Sequence, residues 1–245
     1  VEQGTAANPY MISTASQLQA VNNDPDAHYR LAGNIDLSGL DFEPIGNVDA
    51  GPFTGSFDGN GYTISNLTVD SGKYAGLFGY NEGQVTDVTL SKVSVQGTKY
   101  VAGVVAYNDE TGLVSQCEVR SGKIKATDGL SEIYVGGVVG YNSGTFEGYS
   151  YNGADINVSA NNGNIYAGGI LGYSSSTVSF SADNKGNITA NISDNAIREG
   201  GIIGYGSVIN LYSCVNYGDI YASSNTEYHY ISGLIGSCSN SNVYN

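Results

Sequence analysis

A seven-residue phrase recurs along this chain, and its spacing constrains the fold more than any other feature. The clearest copy is Val135-Gly136-Gly137-Val138-Val139-Gly140-Tyr141. Earlier copies run from Tyr74 to Tyr80 and from Val101 to Tyr107. Later ones run from Ala167 to Tyr173 and from Glu199 to Tyr205, and a degraded copy spans Ile231 to Ser237. The central glycines fall at 76, 103, 137, 169, 201 and 233, so the steps are 27, 34, 32, 32 and 32 residues. A fixed period of this size marks a stacked-repeat architecture, in which no single unit can bury its own apolar face.

From residue 71 each period reads as three strand-sized pieces: the glycine phrase, an alternating stretch such as Val114–Val119 or Val178–Ala182, and a third such as Ile124-Lys125-Ala126 or Ile188-Thr189-Ala190. Apolar–polar–apolar alternation is what a half-buried strand requires. The joints are Asn, Gly, Ser and Asp, and helical periodicity is missing. Each strand meets its own copy one turn later, so the stacking is parallel. The predicted fold is all-β: a right-handed, three-sided parallel β-helix, its hand taken by analogy with crossover connections. Val138, Ile170, Ile202 and Leu234 should then be neighbours in adjacent turns.

Residues 1–70 differ and read as an N-terminal cap and first coil, before a repeat region at 71–245. Thr14-Ala15-Ser16-Gln17 matches a capping box, which predicts one short helix ahead of Leu18 and Val21. Tyr29–Ala32 and Asn34–Leu37 read as a pair of strands, and residues 53–64 as strand, tight turn, strand. A cap is expected because the first coil would otherwise expose strand edges and open core. At the other end the sequence stops after beginning another turn, at Asn242-Val243-Tyr244-Asn245, which reads as a truncated array from a longer protein.

The net charge is −14, with only 9 Lys and Arg. Nucleic acid and anionic membrane are therefore poor partners, since both need a basic footprint. No apolar run reaches the roughly 20 residues a membrane helix needs. Three cysteines are not a disulfide framework, and Cys117 reads as a small buried hydrophobe.

The repeated phrase resembles the GLUG motif, named for glycine, leucine, an apolar residue and glycine. Gly76-Leu77-Phe78-Gly79 and Gly233-Leu234-Ile235-Gly236 match it literally, while Val or Ile replaces the leucine elsewhere and Ala106 replaces one final glycine. The leader, with Asn34–Gly39, Glu43–Gly46 and Phe53–Val69, is similar to the segment preceding such repeats in bacterial surface proteins. Related repeats occur in adhesin-like proteins and in non-catalytic N-terminal regions of immunoglobulin A-cleaving metallopeptidases. The resemblance implies a secreted or surface-anchored bacterial protein with a pectate-lyase-like β-helix. It does not imply protease activity.

The residues themselves offer little chemistry. A zinc-protease helix needs paired histidines four apart, and the two histidines, His28 and His229, are remote in sequence. A polysaccharide lyase or glycosidase would need facing carboxylates or a base with a cation, and the best concentration is Asp36, Asp41, Glu43 and Asp58 in the cap. These acids are the alternative reading, as a carbohydrate-active enzyme or a Ca²⁺ site; the first reading is a module that is not an enzyme and carries no cofactor.

The tyrosines stand out. One lies four residues after the central glycine, at Tyr80, Tyr107, Tyr141, Tyr173 and Tyr205; another lies three before it, at Tyr100, Tyr134, Tyr166 and Tyr230. Treated as one straight strand, the phrase places these sets on opposite faces. The residue after each central glycine is flanked by small residues and is placed inside. The face shared by Glu199 and the first tyrosine set is placed outside, because an unpaired buried carboxylate is costly. Tyr80, Tyr107, Tyr141, Tyr173 and Tyr205 are thus the expected contact ladder, replaceable at little cost in stability. The expected function is an extracellular or cell-surface adhesin-like module that binds or presents to a host or bacterial glycan or protein, within a longer multidomain chain.

Overall fold

The computed structural model describes residues 3–47, 51–128, 132–225 and 228–244. Val1, Glu2 and Asn245, at the ends of the expected cap and final turn, lie outside these. The described chain is a parallel β-solenoid. One six-stranded parallel sheet joins Tyr74–Ala75, Tyr100–Ala102, Ile133–Gly136, Ile165–Gly168, Ile197–Gly200 and His229–Ser232, one strand per turn. The remaining sides form a single 21-stranded sheet, because strands such as Thr145–Ala160 and Leu171–Asn184 run on around corners. Among the described residues no helix is long and apolar enough to cross a membrane.

Parallel stacking begins before residue 71. Tyr10–Ile12, His28–Leu31, Ser56–Asp58 and Gln84–Thr86 are successive neighbours in one ladder. The expected pairing of the two early strand-like segments is replaced by pairing between turns: Ile35–Asp36 lies against Thr63–Ser65, not against His28–Leu31. A coil advances to a new side after each bend, so a strand finds its partner one turn away. The turn between Ser56–Asp58 and Thr63–Ser65 uses Asn60 at φ 50° and Gly61 at φ 74°. The helix is Ala15–Gln19. Thr14 accepts from the Gln17 amide and the Gln17 side chain returns to the Thr14 backbone, so two orphan donors are satisfied.

Val138, Ile170, Ile202 and Leu234 stack in adjacent turns, linked by amide-to-carbonyl bonds of 3.1, 2.9 and 2.9 Å. The glycine phrase, however, is two strands and not one. In the third copy Ile133–Gly136 ends one residue before the central glycine, and Val139–Asn142 begins two residues beyond it. The residues two before, one after and two after the glycine are all fully buried: Val135, Val138 and Val139 in that copy, Val101, Val104 and Val105 in the preceding one. A straight strand could not turn all three inward. Each such side chain contributes roughly 1.5–3 kcal/mol of burial.

Glycine is required at the bend by close approach. A Cβ on Gly137 would lie 2.1 Å from the Gly169 carbonyl oxygen and 2.4 Å from Asn152 Cγ; Gly169 and Gly201 repeat those distances against the next turn and Asn184 or Asn216. The asparagines form interior ladders. Asn152 donates to Asn184 at 2.8 Å and Asn184 to Asn216 at 2.8 Å, each also bonding a backbone carbonyl two residues on. A second ladder, Asn81–Asn108–Asn142–Ser174, has steps of 2.7, 2.7 and 3.1 Å. Buried amides are tolerated here because repetition supplies each with the next turn's acceptor.

Candidate functional site

The bend at the central glycine brings both tyrosine sets to one side. Tyr80, Tyr107, Tyr141, Tyr173 and Tyr205 form a column with ring centroids 5.0, 4.9, 4.9 and 4.9 Å apart and nearly parallel planes. Beside it stands a second column, Tyr74, Tyr100, Tyr134 and Tyr166, at 5.0, 5.3 and 5.1 Å. The columns meet edge to face. Tyr134 lies 5.1 Å from Tyr141 at 87°, and Tyr166 lies 5.2 Å from Tyr173 at 86°. The expectation of opposite faces fails because it extended strand alternation through the corner.

Tyr74 belongs to the second column although it sits only two residues before its central glycine. The first copy is one residue shorter at the bend: Tyr74 pairs with Tyr100 and Phe78 with Val105, intervals of four and five residues. Matching the copies on tyrosine would have found it. Arg198 takes the next place, its guanidinium carbon 5.2 Å from both the Tyr166 and Tyr230 rings, so the column continues through a cation–π bridge. Lys73 covers the other end, 4.8 Å from the Tyr74 ring.

The five expected residues are half-buried, whereas Tyr134 and Tyr166 of the second column are under a tenth exposed. Burial is the first cause that raises the phenol pKa of six of the column tyrosines: Tyr173 is pushed up to about 12, and Tyr80, Tyr100, Tyr107, Tyr134 and Tyr166 also rise. Tyr80 donates to Asp109, and Tyr134 donates to Glu132 at 2.6 Å, which raises those two further. Ring faces within a column are covered by the rings above and below. What the solvent meets is ring edges and hydroxyls.

Glu199 is a second correction. It is fully buried, and neither carboxylate oxygen has a hydrogen-bond partner. Its column is Val101, Val135, Ala167, Glu199, Ile231, which the bend turns inward together with the column after the glycine. Burial raises its pKa to about 8.

The cap acids are taken up locally. Asp36 accepts from the Ser38 amide and hydroxyl at 2.9 and 2.6 Å and from Asn66 at 2.8 Å, bonds that lower its pKa to about 2. Asp58 pairs with Arg30 at 2.9 Å and accepts from the Asn60 amide. Asp41 and Glu43 are exposed. Among the described residues no group of three His, Cys, Asp or Glu side chains is gathered for a metal. The three cysteines are free, and burial pushes the Cys117 thiol up to about 12, which suits an inert core residue.

No family model matches the chain. A stretch of 153 residues, 56% of this chain, is 37% identical to part of halomucin of Haloquadratum walsbyi but spans 2% of that protein. A stretch of 134 residues, 49% of this chain, is 34% identical to 15% of a protein of Evansella cellulosilytica assigned as a Gly-rich membrane protein. The chain thus spans a small part of the curated relatives it matches. Among solved structures, one from Bacteroides ovatus, of a protein assigned as an immunoglobulin A1 protease, superposes with a TM-score of 0.58 at 20% identity, covering 91% of this chain and 86% of that one. That likeness is one of fold.

Proposed function

We propose that the chain is a rigid, acidic, non-catalytic module of an extracellular or cell-surface protein, which holds a host or neighbouring glycan or protein at its surface. The observation that carries this reading is the continuous double column of tyrosine rings. Stacked and edge-to-face pairs are each worth roughly 0.5–1.5 kcal/mol beyond area burial, and they join each turn to the next from Tyr80 to Tyr205. At about 4.8 Å per turn, the six strands of the smaller sheet make a rod roughly 25–30 Å long. Names of the relatives, halomucin and a membrane protein, support a surface setting.

The contact row in this proposal is the outer edge of Tyr80, Tyr107, Tyr141, Tyr173 and Tyr205. A partner there meets phenol hydroxyls at one-turn intervals, because the ring faces are covered. The test is replacement of Tyr107, Tyr141 and Tyr173 by phenylalanine, assayed on a glycan array and on immobilised host-surface proteins. Phenylalanine keeps the stacking and removes the hydroxyls, so binding should fall while the unfolding midpoint holds. Wild-type binding that survives all three replacements would remove the contact row from the proposal.

A further inference from the structure

A second aromatic group lies away from the columns, and its chemistry is different. Ser115 pairs with Glu147 and Glu118 with Tyr151, so the later turn carries one residue more between those points. Gly148, at φ 79°, turns the chain there, and Tyr149 stands outward, 43% exposed. Its hydroxyl donates to Asp183 in the next turn at 3.2 Å, which fixes the ring's direction. Among the described residues no ring and no cation covers Tyr149, in contrast to the tyrosines of the columns. Tyr149 and Tyr151 line an open cleft of about 310 Å³ with Glu118 and Arg120. Arg120 Nε lies 3.2 Å from Glu118 Oε2.

We infer that this cleft is a binding site for a neutral hexose unit of an oligosaccharide. A pyranose ring presents a face of C–H groups and a rim of hydroxyls. An uncovered phenol face suits the first. The second needs acceptors and a planar donor at the edge, here the Glu118 and Asp183 carboxylates and the Arg120 guanidinium. The cleft's volume is at the lower end of the range for small-ligand sites, which suits one or two sugar units of a longer chain. Acidic sugars are disfavoured: Asp183 holds the Tyr149 hydroxyl, Glu118 lines the cleft and is paired with Arg120, and the whole chain carries −14, against one further cation, Lys185, 6.0 Å from the Tyr151 ring. The site shares no residue with the tyrosine columns, so it stands or falls independently of the contact row proposed above.

The experiment is calorimetric titration of the full chain with neutral hexasaccharides of glucose, mannose and galactose, and with tetragalacturonate as the acidic probe. At least one neutral probe should bind, and Tyr149→Ala should weaken it tenfold or more. Tyr149→Phe should retain most of the affinity, and Glu118→Gln should lose several-fold. Tyr221→Phe, exposed and outside both the cleft and the columns, should change nothing. Tyr149 is exposed, so its alanine variant is expected to keep the wild-type circular dichroism. If it does not, the Phe and Gln variants decide. Failure of every neutral probe to bind, tighter binding of tetragalacturonate, or affinity indifferent to both Tyr149→Ala and Glu118→Gln would overturn the assignment.

Discussion

Replacing Glu199 with valine is expected to stabilise the fold, and to do so increasingly as pH rises. The residue is fully enclosed between Ala167 and Ile231 in its column, with both oxygens unpartnered. Valine already fills the equivalent place at Val101 and Val135. Arg198, beside it in sequence, is engaged with the Tyr166 and Tyr230 rings. Burial raises the Glu199 pKa to about 8, against about 4.3 for an unfolded glutamate. Below pH 4.3 both states are protonated and the group exerts no linked penalty. Between pH 4.3 and 8 the unfolded chain releases a proton that the folded chain keeps, so stability falls as pH rises. Above pH 8 the loss is complete, on the order of 5 kcal/mol at about 1.4 kcal/mol per pKa step. Urea unfolding of wild type and Glu199→Val at pH 4, 6, 7.5 and 9 isolates this group, because every other titration is common to both proteins. The stability difference should be smallest at pH 4, widen through the window and level off by pH 9. A pH-independent difference, or a valine variant weaker than wild type at pH 9, would refute the reasoning.

Other expectations rest on the same geometry. Gly137→Ala places a Cβ against the Gly169 carbonyl and Asn152, and should cost about 3 kcal/mol or more in urea unfolding; a neutral result would contradict the bend. Asn142→Ala deprives Asn108 and the Ser174–Ser176 corner of a buried partner, with an expected loss of about 2–3 kcal/mol. In an absorbance titration of the phenols, Tyr80, Tyr100, Tyr107, Tyr134, Tyr166 and Tyr173 should ionise above the ordinary tyrosine range, Tyr173 near 12. One uniform transition near pH 10 with retained circular dichroism would argue that the columns are solvated.

Most of the architecture was legible because repetition writes it into the sequence. A strand that must meet its own copy fixes parallel stacking, and the capping box at Thr14 and Gln17 fixes the helix from local hydrogen bonding alone. The bend was harder to see. Period-two alternation holds only along a straight strand, and the Gly136-Gly137 pair, a turn signal in itself, sat inside an apolar run that read as one strand; its central glycine answers to Asn152 and Gly169, which are distant in sequence or in the next turn. The misplacement of Glu199 followed from that. A carboxylate ordinarily marks an outer face, and only the neighbours that the bend supplies reveal that its column is enclosed. The asparagine ladders left a trace, since Asn81, Asn108 and Asn142 each directly follow a column tyrosine and Asn152, Asn184 and Asn216 recur at 32-residue steps. Tyr149 left none, because a single extra residue in one turn breaks the period it would have to be read against.

Urea unfolding of Tyr141→Ser/Tyr173→Ser beside Tyr141→Phe/Tyr173→Phe tests most directly whether the tyrosine columns are the spine of the solenoid. The serine pair removes seven ring contacts, three stacked and four edge-to-face, for an expected loss of about 4 kcal/mol or more. The phenylalanine pair keeps those contacts and should unfold within about 1 kcal/mol of wild type, since it removes only two hydroxyls. A serine variant that unfolds at the wild-type midpoint would mean that the columns lie on the solenoid without holding it together.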